Sequence, residues 1–562
     1  MDDNKKSIWN QVDMKVFVPG VICLVLVVAL GAIFPVKAET ILNNTMTWLM
    51  EHFKWFYTLV VCLIVGFCLF IIFSKYGNIR LGGKNAKPSL KTSTWFTLTL
   101  TGTIAVGICF YGVSAPVNMF MNPPAFMGVE GGTQDAVIPV LKYCFLHYGI
   151  PPFFLIIMLA LMIALIYYNG KRTLKASDTL YPLLGKKSQG FLGNVINTLV
   201  MVSLLVCGTN MGLAVIQLNA GIGTVAGMSQ TPHYEVFITI FYTVLTIILA
   251  TSGVHKLMGK ISNINATGYF LILTFIVLFG PAGGNRLLGT YFTSIGEFIA
   301  DFIPMITFGD PIYQTGWQNH MTMYYFSWNI APALLHALFY VSIAYGRTLR
   351  QFLIVNCLLP AAVTMFWYVA FGGTAMFSIL NGSNLYEIMQ KYGDGISTFA
   401  FLGAMPGGSI LKWLFILLAI MTFLTFSDSI AFSFPMLFMK KTEVDASLTK
   451  VPKMFNAVIG LFMGSLTLVL LYIGGYDALS TAMVVLAFPA AILLFMVVLS
   501  ALKMLFNREK YDLTYIAELE EEKTQSIPKP DPMITLDKKN LVCDEVSPPK
   551  HYAAPSQNPA SE

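Results

Sequence analysis

Residues 101–124 read TGTIAVGICFYGVSAPVNMFMNPP, with no charged side chain over the whole run. A helix of that length and composition can cross a hydrocarbon core of about 30 Å. Yet the run also carries Gly102, Gly107, Gly112 and Pro116, residues that let helices approach closely and leave backbone carbonyls uncovered. Irregular backbone at membrane depth is tolerated only where it lines protein or a cavity. The segment therefore reads either as a tight packing surface or as one wall of a solute site.

Similar apolar runs recur on both sides of it. By the length of about 18 to 25 residues that a membrane helix needs, about twelve are found, at 15–34, 55–75, 94–120, 139–168, 191–217, 235–257, 263–282, 321–345, 350–373, 408–438, 454–474 and 480–506. Across the 562 residues, 56% are hydrophobic and 11% charged, a balance that excludes a water-soluble domain around one buried core. The fold class is an all-α membrane protein. The first run is followed by no small-residue cleavage pattern, so it reads as a retained helix and not a signal peptide. The eight cysteines are scattered without disulfide or metal spacing. A net charge of +6 does not point to nucleic acid, because the basic residues sit in short loops beside membrane helices.

Those basic residues alternate. Lys5 and Lys6 precede the first span; Lys75, Arg80, Lys84, Lys87 and Lys91 follow the second; Lys171, Arg172, Lys175, Lys186 and Lys187 follow the fourth. Lys256 and Lys260, Arg347 and Arg350, Lys440, Lys441 and Lys450, and Lys503, Arg508 and Lys510 continue the series after the sixth, eighth, tenth and twelfth. The positive-inside rule then puts both termini in the cytoplasm and makes the chain a multi-pass protein of the cell inner membrane. The longer loops 283–320 and 374–407 fall outside. Within the first of them, Tyr291, Phe292, Ile295, Phe298, Ile299 and Ile303 stand opposite Glu297 and Asp301, the pattern of a helix lying in the interface. Three regions follow: a cytoplasmic segment 1–14, a membrane domain 15–506, and a polar cytoplasmic tail 507–562 that reads as disordered or loosely attached.

No catalytic constellation is present, neither H-E-x-x-H nor G-x-S-x-G nor a phosphate-binding loop, which argues against an enzyme or an ATP-driven pump. Polar interruptions of membrane helices stand in their place. The eighth span mixes Tyr324, Tyr325, Trp328, Asn329, Pro332 and His336. Aromatics at a helix end suit an interfacial belt, but Asn and His at depth need partners and mark a substrate path. In the tenth, Thr422, Thr425, Ser427, Asp428 and Ser429 crowd together. Asp428 reads equally as a helix-bonding group or as an ion or proton site, and the hydroxyls are oxygen ligands of the kind a hard cation takes. A transporter is the leading reading, with a channel as its rival from another class.

Six motifs then carry a resemblance: FYGVSAPVNMFMNPP (110–124), HYGIPPFF (147–154), NMGLAVIQLNAG (210–221), SGVHKLMGKISNIN (252–265), the segment from Trp328 to Gly346-Arg347-Thr348, and TFSDS (425–429). In order and spacing the chain resembles the betaine/carnitine/choline transporter family. The resemblance implies two extra helices followed by leucine-transporter-like inverted five-helix repeats, about 94–282 and 321–506. It implies a homotrimer in the lipid bilayer and a small-molecule substrate, a zwitterionic or quaternary ammonium solute held in an aromatic box. There a cation is attracted to ring faces without needing a hydrogen bond. On the family's pattern the box falls to Trp328, Asn329, Tyr148, Phe153, Tyr324, Phe120 and Pro332, with Asn329 and Pro332 where the family has rings and Ile156 replacing a further aromatic. Asn329 both donates and accepts, which suits an ammonium that keeps its N–H protons or an anionic group, and so leaves open a non-quaternary amino or sulfonate compound. The resemblance implies no cofactor beyond Na+ as coupling ion, at Thr425, Asp428, Ser429 and Ile104. The family's Thr-Ser pair reads Thr425-Phe426 here, one hydroxyl fewer, and His336 lies near the position where sodium-independent exchangers substitute a side chain for the ion. Symport and exchange both remain open.

Overall fold

A computed structural model describes residues 11–103, 105–228, 231–252, 255–433, 438–440 and 453–526. Among these residues it is helical, with no strand beyond two isolated bridges, Val12 to Met439 and Arg80 to Thr348. The chain to Glu518 forms one compact unit.

The helices are α1 (Met14–Ile33), α2 (Pro35–Phe73), α3 (Thr92–Thr103), α4 (Ala105–Met121), α5 (Val137–Tyr148), α6 (Ile150–Ala164), α7 (Phe191–Val202), α8 (Leu205–Ala226), α9 (Pro232–Ser252) and α10 (His255–Phe279). After the surface helices α11 (Gly284–Ala300) and α12 (Phe302–Thr307) come α13 (Thr322–Ile330), α14 (Ala333–Ser342), α15 (Leu359–Tyr368), α16 (Gly408–Ser433), α17 (Lys453–Phe506) and α18 (Leu513–Ser526). Nine helical stretches among the described residues are long and apolar enough to cross a membrane. The sequence spans number about twelve because the third runs through residue 104, outside the described residues, the eighth is broken, and the eleventh and twelfth share one helix. The third span is described on either side of residue 104, as α3 and α4, and the eighth divides into α13 and α14, where Pro332 cannot donate to the helix ladder.

The eleventh and twelfth spans run together as α17. A straight helix of 54 residues would be about 80 Å long, more than twice the hydrocarbon core. The chain breaks at Gly474 and Gly475, the latter at φ +56°. Phe455 then packs edge-on to Phe17 of α1 at 5.6 Å, while beyond the break Phe488 meets Phe53 of α2 at 4.9 Å and Phe506 meets Phe70 at 6.3 Å. The first half of α17 thus follows α1 and the second half follows α2.

Helix starts and breaks have local causes. Pro35 occupies the first turn of α2 and Pro151 and Pro152 that of α6, where a missing N–H costs nothing. Thr348 accepts from the Gln351 amide at 3.2 Å while the Gln351 side chain accepts from Thr348 N at 3.1 Å, a reciprocal cap on Leu349–Leu353. That cap is clamped to the loop after α2: Leu81 N donates to Arg347 O at 2.9 Å and Gly346 N to Leu81 O at 3.0 Å. Single π-helical turns interrupt the ladder at Leu165–Asn169, Ile354–Leu358 and Val369–Gly373.

The acidic side chains Glu297 and Asp301, at the end of α11, are half exposed and also reach inward to α5. Asp301 and Glu297 accept from Lys142 of α5 at 2.6 and 3.2 Å, and Phe298 is buried edge-on to Phe145, while Phe292, Ile299 and Ile303 are exposed. The start of the tail is also more ordered than its composition suggests. Asn169 donates to Thr514 Oγ1 at 3.1 Å, and Lys84 N donates to Glu518 at 2.6 Å.

Candidate functional site

A cavity lies where α4, α5, α6, α13 and the helix α15 converge, lined by Gly107, Ile108, His147, Tyr148, Pro152, Phe153, Ile156, Trp328, Asn329 and Thr364. The space open within it is small, about 50 Å³. The sequence makes the space at helix breaks. Gly149 ends α5 between Tyr148 and Phe153, and the two prolines of α6 start a new helix at once. Four of the residues singled out from sequence, Trp328, Asn329, Tyr148 and Phe153, meet on its wall. Asn329 is oriented by its own helix, its Nδ2 donating to Tyr325 O at 2.8 Å.

The other expected residues are placed differently. Tyr324 stands behind Trp328, rings 5.9 Å apart, and bonds Tyr111 instead of lining the cavity. Phe120 is fully buried some 13 residues beyond Gly107, roughly 20 Å along the helix. Pro332 acts through its carbonyl, which His336 Nδ1 contacts at 2.9 Å. His336 is buried, its ring 5.7 Å from Phe426, with no partner on Nε2. Among the expected ion ligands, Thr425 Oγ1 donates to Thr422 O at 2.8 Å. Ile104 and the side chains of Asp428 and Ser429 lie outside the described residues. Thr422 also takes part in a bonded set with Asn265 (2.9 Å) and Tyr269 (2.8 Å), which fixes α16 to α10.

Sequence reasoning missed the layer above the cavity on the side of the 374–407 loop. The Tyr111 hydroxyl lies 2.7 Å from that of Tyr324 and 3.2 Å from that of Tyr476, joining α4, α13 and α17. The Tyr111 ring also meets Trp328 edge-on at 5.8 Å. Beside it Tyr148 stacks on Tyr368 at 4.3 Å and tilts onto Tyr325 at 4.7 Å. Further out, Asn118 donates to both carboxylate oxygens of Asp394, at 2.9 and 3.0 Å. Burial pushes the Asp394 carboxyl above the usual carboxylate range, and the two bonds from Asn118 offset this only in part. The available signal was FYG at 110–112 and the Gly-Gly-Tyr at 474–476; nothing in their spacing says that the two tyrosines meet.

Known proteins give a consistent picture. A family model described as "BCCT, betaine/carnitine/choline family transporter" matches residues 15–510. An ectoine/hydroxyectoine transporter of Virgibacillus pantothenticus is 26% identical over 509 residues, 90% of this chain and 98% of the relative. A glycine betaine transporter of Bacillus subtilis is 28% identical over 504 residues, 89% and 95% of the two chains. An osmo-dependent choline transporter of Acinetobacter baylyi is 24% identical over 513 residues, 90% and 73%. Among solved structures, a substrate-bound, outward-open Na+-coupled sialic acid symporter aligns over 80% of this chain and 86% of its own, at 15% identity and a TM-score of 0.41.

Proposed function

The chain belongs to the betaine/carnitine/choline family of transporters, and from that premise we propose that it moves a small zwitterionic or quaternary ammonium solute by alternating access, as a secondary transporter and not an enzyme. The observation that carries this reading is the cavity itself: an indole and two further rings meeting at helix breaks, with one polar amide, Asn329. A cationic nitrogen gains from such ring faces when water is excluded. Trp328 supplies the face, Tyr148 and Phe153 the walls, and Asn329 a polar contact. The Tyr111, Tyr324 and Tyr476 hydroxyls form a closure on one side of the solute, tying three helices that must part for it to pass.

Two inverted repeats, about 94–282 and 321–506, are part of the proposal. In the second the first span is broken, α13 against α14, as expected where a discontinuous helix holds a solute between repeats. Both termini are cytoplasmic, the assembly is a homotrimer, and Na+ is the candidate coupling ion, with Thr425, Asp428, Ser429 and Ile104 around it. A specific observation favours the second reading, sodium-independent exchange: Phe426, replacing a hydroxyl, is buried against His336.

The test is uptake into proteoliposomes of purified protein, with glycine betaine, carnitine, choline, ectoine and less-methylated or sulfonated analogues, each with and without a sodium gradient. Saturable uptake driven by sodium supports the symporter. Uptake that needs only a counter-solute inside supports the exchanger, and conductance without saturation overturns both in favour of a channel.

A further inference from the structure

The cavity contains a polar group that the box of rings does not use. His147, at the end of α5, is fully buried and lines the cavity beside Tyr148. Its Nε2 lies 3.0 Å from Thr322 Oγ1, while Nδ1 has no hydrogen-bond partner. The ring cannot turn away from this arrangement at low cost, because it stacks on Tyr325 at 4.9 Å and lies 6.0 Å from Trp317 on its other neighbour. A buried polar atom without a partner is uncommon in a settled interior and asks for one.

Neutral imidazole has one N–H and one lone pair. With the hydrogen on Nε2, donating to the Thr322 hydroxyl, Nδ1 presents the lone pair. Asn329 presents the same kind of atom: its Nδ2 is committed to Tyr325 O, which leaves Oδ1 as an acceptor. In that tautomer the lining residues carry two acceptors that are not hydroxyls, together with the unpartnered hydroxyls of Tyr148 and Thr364, and no charged side chain.

Resting on the transporter reading above, we propose that His147 is a specificity-determining residue whose Nδ1, with Asn329 Oδ1, accepts from N–H groups of the solute. The preferred substrates are then zwitterions whose cationic nitrogen retains hydrogen, a secondary or tertiary ammonium or an amidinium, over fully methylated ones. A trimethylammonium group gains from Trp328 but leaves both acceptors empty, and a site built to hydrogen-bond discriminates most strongly against an analogue that lacks the donor.

The test uses purified full-length protein and three compounds that differ only in methyl count: glycine betaine, N,N-dimethylglycine and sarcosine. Binding is followed by calorimetry and uptake in proteoliposomes. The wild type should bind dimethylglycine or sarcosine at least about tenfold more tightly than betaine, the equivalent of one hydrogen bond. His147→Phe, which keeps the ring and removes both nitrogens, should bring that ratio within about threefold, and His147→Gln, which restores an acceptor, should recover the order. Betaine binding most tightly to the wild type overturns the inference without need of any variant. So does an unchanged ratio in His147→Phe, which would leave the residue a packing role. If none of these compounds, nor ectoine, carnitine or choline, is bound or taken up, the transporter reading has failed and the inference falls with it.

Discussion

At the scale of single residues, the indole on the cavity wall and the carboxyl that lies beyond it make separate predictions. Trp328→Ala removes the one indole of the cavity; substrate affinity should fall at least about 30-fold, the equivalent of about 2 kcal/mol for a desolvated cation over a ring. Binding to correctly inserted protein measures it, and unchanged affinity would move the site elsewhere. Asp394 predicts a pH effect. Because burial raises its carboxyl above the ordinary value, the folded chain holds that proton more tightly than the unfolded one. Its contribution is fully present below the unfolded value of about 4 and is lost as pH rises through the raised folded value. Asp394→Asn keeps an acceptor for Asn118 and does not titrate. Thermal melts of the two proteins should therefore converge at low pH, with the variant gaining on the wild type as pH rises.

At the scale of elements, two backbone positions separate conformation from crowding. Gly346 (φ +74°) and Gly475 (φ +56°) both sit where a Cβ is strained. A Cβ on Gly346 would also lie 2.4 Å from the backbone of Lys87 and Pro88, whereas nothing stands within 4 Å of one on Gly475. Gly475→Ala should cost about 1–2 kcal/mol. Gly346→Ala should cost clearly more, because it also breaks the pairing of residues 79–81 with 346–349. Thermal stability in detergent would rank them, and equal losses would contradict the geometry. The elements also mark how far sequence could be read. Apolar length located the spans and their interruptions, since hydrocarbon imposes those on every residue. Trp328, Asn329, Tyr148 and Phe153 were legible because motif order carried them to one place. The tyrosine closure was not, since Tyr111 and Tyr476 are separated by 365 positions and no local pattern encodes a contact of that range. Phe120 lies away from the cavity lining, because a shared motif fixes order along a helix and says nothing of which of its residues line one space.

At the scale of the whole molecule, the exposed side of α11 bears on assembly. Phe292 and Ile299 are 68% and 66% exposed on one side of this helix, whose other side is pinned by Lys142 and Phe145, and Ile303 of α12 is 65% exposed beyond them. If this surface joins three copies, Phe292→Glu together with Ile299→Glu should reduce the mass in detergent, by light scattering, from three copies of the 62.1 kDa chain to one. An unchanged mass would place the contact on another face. The break at Gly474 and Gly475 has a consequence for how the chain is made. With only two residues between the spans of α17, there is no loop in which the first can rest while the second is still being synthesised. At about 5–20 residues per second, the roughly 30 residues that follow take several seconds to emerge. During that interval the insertion machinery must hold the earlier span, so the two enter the lipid together as a hairpin, and a reporter domain fused at this point would block their biogenesis.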